Sequence, residues 1–416
     1  MLSVSEALFR VLADVPRLGA EPVRLEEALG RLLAADVVSP EDLPPWTNSA
    51  MDGYAVITDD LPRTLVVLET IAAGAVPTQR VERGQASRIM TGAPVPDGAD
   101  AIVMMEDTVT VGEAVHIAGS ARPGQHFRRQ GSDVRAGDVV ATQGQLLTAG
   151  RIGLLASLGI PTVWVARRPR VAIFSTGDEV VAPDMSLGPG QIHSSNTHAL
   201  LSLVRESGGV PVDMGNIRDD PAKIAAAFAE AASCDIVVST GGVSVGDFDH
   251  VKGAIGGGVE FWRVAMKPGK PLAYGHIGGT PVFGLPGNPV SCMVNFLQFV
   301  RPVLRAMMGD LHPFLPVVQA HLPKPLKRQP GRDEFVRVRL ERAGDHIHAV
   351  PSGGHQGSGN VRSMADAHGF LLVGADATEV SGIVNVQVFD WSFMAGSEPA
   401  YGWADGAGAS REDECC

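Results

Sequence analysis

The clearest pattern in the chain lies between Arg170 and Gly309, where short, continuously apolar runs alternate with stretches of helical periodicity. Arg170–Ser175, Val210–Ile217, Cys234–Ser239, Pro271–Tyr274 and Pro281–Leu285 read as strands. His193–Ser207, Pro221–Ala232 and Val290–Met308 read as helices, the second with Pro in its first turn, where no N–H is needed. Unbroken apolar strands alternating with helices predict a parallel sheet covered on both faces. Upstream, Ser3 and Glu6 have capping-box spacing and open an amphipathic helix with Leu8, Val11, Leu12 and Val15 on one face. The first 40 residues predict two short helices and then a strand-like run, Leu32–Val38. Residues 46–140, β-branched and punctuated by Gly and Pro, predict a small barrel or sandwich. Leu146–Leu158 is helical again and is expected to pack back on the N-terminal helices, making one elongated segment from two stretches. Residues 313–395 return to alternation, as in Phe335–Leu340, and predict a second small barrel. Beyond Ala395 the Gly, Ala, Ser and acidic composition predicts a disordered tail.

Composition narrows the function. A chain of 416 residues exceeds one compact core and implies two to four domains. A net charge of −12 argues against nucleic-acid and membrane-surface partners, which demand a basic face. It leaves room for a small anionic ligand held by local N–H groups and a few cations. None of the four cysteines forms a C-x-x-C pair or has a His at zinc-ligand spacing, and Cys234 and Cys292 fall in apolar, core-like runs. That usage suits a reducing compartment. With no apolar run of membrane-span length and no basic segment at the start, the expectation is a cytoplasmic protein.

In an open parallel sheet, ligands bind outside the carboxyl ends of the strands. Four loops follow strand-like runs here: Ser175–Glu179, Arg218–Pro221, Thr240–Asp249 and Gly284–Pro289. In the third, Gly241 and Gly242 permit a tight turn that presents N–H groups, Ser244 adds a hydroxyl, and Asp247 and Asp249 add carboxylates. Donors beside oxygen-only acids suit a phosphate carried with Mg²⁺; the alternative is a Gly-rich turn whose Asp residues cap the next helix. It is not a Walker loop, since no G-K-[ST] follows. Asp220 fits the N-cap of the Ala-rich helix, which leaves Asp219 as the metal or acid–base candidate. Lys267 and Lys270 flank Pro268 and Gly269 on a stiffened loop. Pro286-Gly287-Asn288-Pro289 opens a helix whose first N–H groups could face an anion. Outside the sheet, three polar strings stand out: Asn48–Ala55, Ile89–Pro96 and Arg128–Asp133.

Taken in order, N-S-A-M-D-G-Y-A, M-T-G-A-P-V-P, S-T-G-D-E, R-D-D-P, G-G-V-S-V-G-D-x-D, M-K-P-G-K-P and G-L-P-G-N-P-V-S make the chain resemble the molybdopterin molybdenumtransferase family, which includes bacterial MoeA and the gephyrin E domain. The resemblance covers the chain to about residue 395. It implies a multidomain α/β plus β architecture: a discontinuous elongated segment (1–43 with 140–168), an inserted β domain (44–139), a molybdopterin-binding parallel α/β domain (169–312), a C-terminal β-barrel (313–396) and a tail (397–416). It implies a homodimer with its cleft between subunits, and an activity that inserts molybdate into adenylylated molybdopterin with Mg²⁺-dependent release of AMP. An adenylyltransferase and molybdoenzymes are the implied protein partners. Carried over by residue, Asn48, Ser49, Asp52, Thr91, Asp133 and Glu179 would line the cleft, and Asp219 and Asp249 would hold Mg²⁺. Gly241, Gly242 and Ser244 would take the phosphate, while Lys267 and Lys270 would receive molybdate or phosphate. Pro286, Gly287 and Pro289 would shape the pterin pocket, and Arg337 and Ser358 would contribute from the barrel. Asp52, Asp133, Glu179, Asp219, Asp249 and Lys267 are the implied catalytic set.

Two positions depart from the family pattern. Trp46-Thr47 stands where Phe-Asp is usual, removing a carboxylate, and Arg263 stands in the substrate region where Lys is common, replacing a point charge by a planar fork. Two other functions share parts of this pattern. A nucleotide pyrophosphatase or deamidase would have the α/β domain without the flanking β regions. A non-enzymatic scaffold would need a peptide groove.

Overall fold

The computed structural model describes residues 1–241, 259–344 and 346–395. The calls on Gly242, Ser244, Asp247, Asp249 and the C-terminal tail therefore lie outside the described residues. The chain forms two compact units, one of residues 1–18 and 168–416 and the other of residues 19–167.

The larger unit is built on a six-stranded sheet in the order Val210–Ile217, Arg170–Thr176, Ile236–Thr240, Thr280–Leu285, Pro271–Ile277, Val259–Arg263. The first four strands are parallel; Pro271–Ile277 runs against them, and Val259–Arg263, antiparallel to Pro271–Ile277, points with the first four again. The sheet is thus mixed, a correction to the expected all-parallel arrangement. Its cause is local: Gly278 and Gly279, at φ +57° and +91°, make a two-residue turn that can join only antiparallel neighbours. On one face Phe174 meets Phe228 edge-on at 4.9 Å, in a cluster with Ala172, Ala231, Cys234, Val237 and Val282. The helix carrying Phe228, Pro221–Ala231, is capped as expected by Asp220, whose carboxylate accepts from Ala222 N and Lys223 N.

The expected long helix is two helices, Pro289–Asn295 and Arg301–Met307, joined by a π turn over Phe296–Val300. Pro302 lacks the N–H that would close on Gln298, so the ladder slips there, and Arg301 N–H reaches back to the Phe296 carbonyl. The capping-box helix, Val4–Leu12, belongs to this unit: its Val11 carbonyl accepts from the Tyr274 hydroxyl, and Leu2 bridges to Val264.

The strands Val317–Lys327, Asp333–Ala343, His346–Pro351, Gly369–Val373 and Glu379–Val388 close into a five-stranded barrel, because Asp333–Ala343 pairs with both His346–Pro351 and Gly369–Val373. Val336, Val338 and Leu340 alternate into its core. Met266–Lys267 pairs with Asp333–Glu334, so the lysine loop starts from the edge of the barrel.

In the smaller unit, residues 53–117 form a curled six-stranded sheet with apolar clusters on both faces, around Leu65 and Val115 on one and Ile71 and Ile102 on the other. The second expected N-terminal helix is instead a strand, Ala20–Arg24, and one 3-10 turn, Leu25–Glu27. Pro22 weakens a helix there, and antiparallel pairing with Thr162–Ala166 satisfies the backbone. The later helix, Ala149–Ser157, does pack back, with Leu155 against Leu25, Ala28 and Leu33.

Candidate functional site

The carboxyl ends of the parallel strands converge on one cavity of about 160 Å³, which Ser175, Thr176, Glu179, Asn196, Thr240 and Gly241 line together with Gly287–Pro289. Gly241 ends its strand at φ +88°, and a Cβ there would stand 2.5 Å from the Thr176 carbonyl oxygen. Only glycine lets the two strand ends approach this closely. The Thr240 hydroxyl donates to the Pro286 carbonyl at 3.2 Å and accepts from Asn196 Nδ2 at 2.9 Å. Asn196 Nδ2 also donates to the Gly287 carbonyl at 2.8 Å. Pro286 and Gly287 are thus tied to the sheet. Two buried polar atoms on this cavity, Thr176 Oγ1 and Asn196 Oδ1, have no partner among the described residues. Buried polar atoms of this kind are rare in folded proteins, and on a cavity wall they fit a polar ligand.

Glu179 is exposed at the rim. Its loop is held by Asn216, whose Nδ2 donates to the carbonyls of Gly177 and Val180 and whose Oδ1 accepts from Ser175. Asp219 is exposed two residues beyond the end of the neighbouring strand.

The lysine loop stands apart from this cavity. Lys267 Nζ lies 3.2 Å from Glu334 Oε1, and Glu334, only 5% exposed, also pairs with Arg328. Burial, and then the charges of Arg328, Arg332 and Arg337, push the Lys267 pKa below the usual lysine value. Two cations thus share one buried carboxylate, and Arg332 and Arg337 add positive charge near Lys267. Lys270 and Arg263 are both exposed, three residues to either side of Lys267 and Met266 respectively. The expected anion-facing helix start is partly occupied, since Val290 N–H donates to the Ser358 carbonyl at 3.1 Å. Ser358 therefore meets the site through its backbone. Arg337 is fully buried and reaches the same loop from behind, donating to Gly357 O at 3.1 Å and Ser363 Oγ at 3.2 Å. Burial and Arg328 push its pKa down to about 10. Cys292 is a buried thiol raised to about 12 by burial, in keeping with a core role, and Cys234 is likewise buried.

In the smaller unit, Asp52 Oδ1 accepts from both the N–H and the hydroxyl of Thr91 at 2.7 Å, which holds the carboxyl below its usual pKa. Asn48 and Ser49 are buried in a short strand paired with Phe127–Arg128, and Thr47 Oγ1 accepts from Gln130 N. The polar strings around residues 48, 91 and 128 thus lie side by side. Asp133 is exposed on the adjoining turn, its N–H bonded to Leu43 O.

Asn196, Asn216, Thr176 and Thr240 were not singled out as site residues by the sequence. Their signal is faint: polar side chains at strand ends or first helical turns, whose roles depend on long-range neighbours.

Among the described residues no helix is long and apolar enough to cross a membrane, and no group of three or more His, Cys, Asp or Glu is arranged for a metal. A glycine-shaped cradle at the carboxyl edge of an α/β sheet, whose helix start meets a loop of a β-barrel, is the place where proteins of this open α/β class take a ligand. Family models account for most of the chain: "MoeA N-terminal region (domain I and II)" over residues 2–159, "Probable molybdopterin binding domain" over 172–306 and "MoeA C-terminal region (domain IV)" over 319–389. The chain is 40% identical over 400 residues to molybdopterin molybdenumtransferase 2 of Mycobacterium tuberculosis, covering 92% of this chain and 98% of that one. It is 37% identical over 405 residues to the molybdopterin molybdenumtransferase of Haemophilus influenzae, covering 95% and 100%. The crystal structure of the molybdopterin biosynthesis MoeA protein from Pyrococcus horikoshii superposes with a TM-score of 0.82 at 30% identity, covering 94% of this chain and 100% of that one. The chain belongs to the molybdopterin molybdenumtransferase family.

Proposed function

We propose that this enzyme inserts molybdate into adenylylated molybdopterin and releases AMP, as a cytoplasmic homodimer. The observation that carries the reading is the cradle at Gly241, where Thr176 Oγ1 and Asn196 Oδ1, at the carboxyl edge of the sheet, have no partner among the described residues. In this reading Thr176, Asn196 and the backbone at Gly241 bind the phosphate and pterin, with Gly242 and Ser244 continuing the cradle. Pro286, Gly287 and Pro289 shape its wall. Lys267, steadied by Glu334, draws in molybdate, and Lys270 and Arg263 add charge at the mouth of that patch. Asp52, Thr91 and Asp133, with Asn48 and Ser49, serve the cleft of the partner subunit. Asp52, held as a carboxylate by Thr91, and Glu179 shuttle protons to the oxide that leaves molybdate as water.

The donor chemistry fits Mg²⁺. The carboxylate of Asp219, exposed near the carboxyl edge of the sheet, suits a metal that arrives with the substrate phosphate and keeps most of its waters, with Asp249 as the second ligand in this reading. When bound, Mg²⁺ would offset charge on the phosphoanhydride. Arg337 and Ser358 act as positioning residues, since one is buried and the other offers its carbonyl.

The test is AMP release from adenylylated molybdopterin with Mg²⁺, with and without molybdate. Molybdate-dependent release is expected. Release independent of molybdate would make the protein a nucleotide hydrolase and overturn the reading.

A further inference from the structure

On the outside of the barrel, a groove of about 490 Å³ is lined by Gln319, His321, His346, Ile347, His348 and Ile383, none of them among the site residues above. Three of the chain's twelve histidines therefore face one groove. His321 and His348 are directly paired partners on neighbouring parallel strands, and their rings lie 5.4 Å apart, tilted by 46°. That is the single pairing between Val317–Lys327 and His346–Pro351, so the imidazoles sit on the weakest seam of the barrel. His346 is two residues along the same strand as His348, on the same side of the pleat.

Five other histidines have an engaged ring nitrogen: His116 with Thr64, His193 with the Met185 carbonyl, His198 with the Ser194 carbonyl, His355 with the Gly357 N–H and His368 with the Leu340 backbone. None of the three groove histidines has a hydrogen bond or ion pair to a described residue. No Lys or Arg lines the groove to repel a cation. Imidazole nitrogens bind borderline divalent ions at about 2.0–2.1 Å, and two rings at this separation reach one ion by small side-chain rotations. The three do not yet converge as a closed triad.

We propose that this groove is a binding site for a borderline divalent transition metal of the zinc class, with His321 and His348 as the primary ligands, His346 as the third and water completing the shell. Such an ion would clamp the two strands across the seam. The site is independent of the molybdate chemistry.

The test is a zinc titration of the full-length chain against a chromophoric chelator at pH 7.5, with Cys415 and Cys416 replaced by Ser so that thiols take no metal. One zinc per chain is expected. His321→Ala and His348→Ala should each weaken it by at least about tenfold, as removal of a metal-site partner typically does. His276→Ala, which removes an imidazole outside the groove, should leave it unchanged. Zinc should also raise the thermal midpoint of the parent and not of the two groove variants, since only a native-state site stabilises by binding. His321→Gln, which keeps the side chain's bulk and polarity, should repeat the loss if the alanine variant folds poorly. Equal zinc affinity in the parent and in both groove variants would overturn the proposal.

Discussion

Asn295 Nδ2 lies 3.1 Å from the Gly269 carbonyl oxygen and 2.9 Å from that of Ser291, so one fully buried amide joins the helix after the Pro286–Pro289 turn to the loop carrying Lys267 and Lys270. The fit is close. A Cβ at Gly269 would stand 2.4 Å from that nitrogen, and Gly269 sits at φ +103°. Asn295→Leu keeps the volume and removes the tether. It should cost about 1 kcal/mol of stability, the net value of a typical hydrogen bond. It should raise the molybdate KM severalfold while leaving the pterin KM near that of the parent. A steady-state comparison of both substrates checks this, and an unchanged molybdate KM would show that the tether does not position the lysines.

Gly241→Ala tests the cradle itself. The added methyl meets the Thr176 carbonyl, and the left-handed φ adds roughly 1–3 kcal/mol of strain. Because the clash lies between two strand ends, the core around Phe174 should survive while the cavity distorts. The expected result is a folded protein, by near-ultraviolet circular dichroism, whose affinity for adenylylated molybdopterin falls at least about tenfold, one decade being 1.4 kcal/mol. Gly153→Ala is the control: it lies in the helix Ala149–Ser157, outside the cavity, and its Cβ would meet nothing within 4 Å.

The contrast between these residues explains what could be read from the sequence. Gly241 and Gly287 were visible because a glycine after an apolar strand signals its own backbone need. Asp220 was visible because capping is local. Asn196, Asn216 and Asn295 were not, since each gains its role from carbonyls far along the chain: Gly287, Gly177 and Gly269. The same divide holds for the fold. Strand positions followed from apolar runs, whereas the mixed direction of the sheet hung on the Gly278-Gly279 turn, and the break in the helix after Asn295 hung on Pro302. The second of the two helices expected in the first 40 residues is missing because Ala20–Arg24 pairs instead with Thr162–Ala166, which is remote in sequence.

Lys267 should give the enzyme an alkaline limit. Burial and three neighbouring arginines disfavour its charged form, so its pKa is depressed below the usual lysine value. Molybdate binding needs the cation, which is lost as pH rises through this lowered pKa. The molybdate KM should therefore climb at a pH below the ordinary lysine value of about 10.4. Lys267→Arg, which stays charged, should move that limb upward. Lys267→Met should remove it and raise KM roughly 10- to 100-fold, the value of one charged hydrogen bond. For stability the sign is opposite: the charged form burdens the folded state at neutral pH, and that burden fades as pH rises past the folded and then the unfolded pKa.

Arg337 links the barrel to the site through a loop. Its guanidinium donates to Gly357 O and Ser363 Oγ, its backbone N–H donates to Gln356 Oε1, and the next residue in the loop, Ser358, accepts from Val290 N–H. At neutral pH it is charged, since even the lowered value is about 10. Arg337→Met fills much of the space while leaving the Gly357 carbonyl and Ser363 hydroxyl short of a donor. The cost should be about 3 kcal/mol, as hydrogen bonds to a charged group are worth more than neutral ones. A general loss of stability alone would not distinguish this role from packing. Hydrogen exchange does: the Val290 amide, which Arg337 never touches, should exchange faster in the variant, together with the amides of residues 356–363. Protection at Val290 equal to that of the parent, in a variant whose loop amides have lost theirs, would show that the Ser358 contact holds without the arginine.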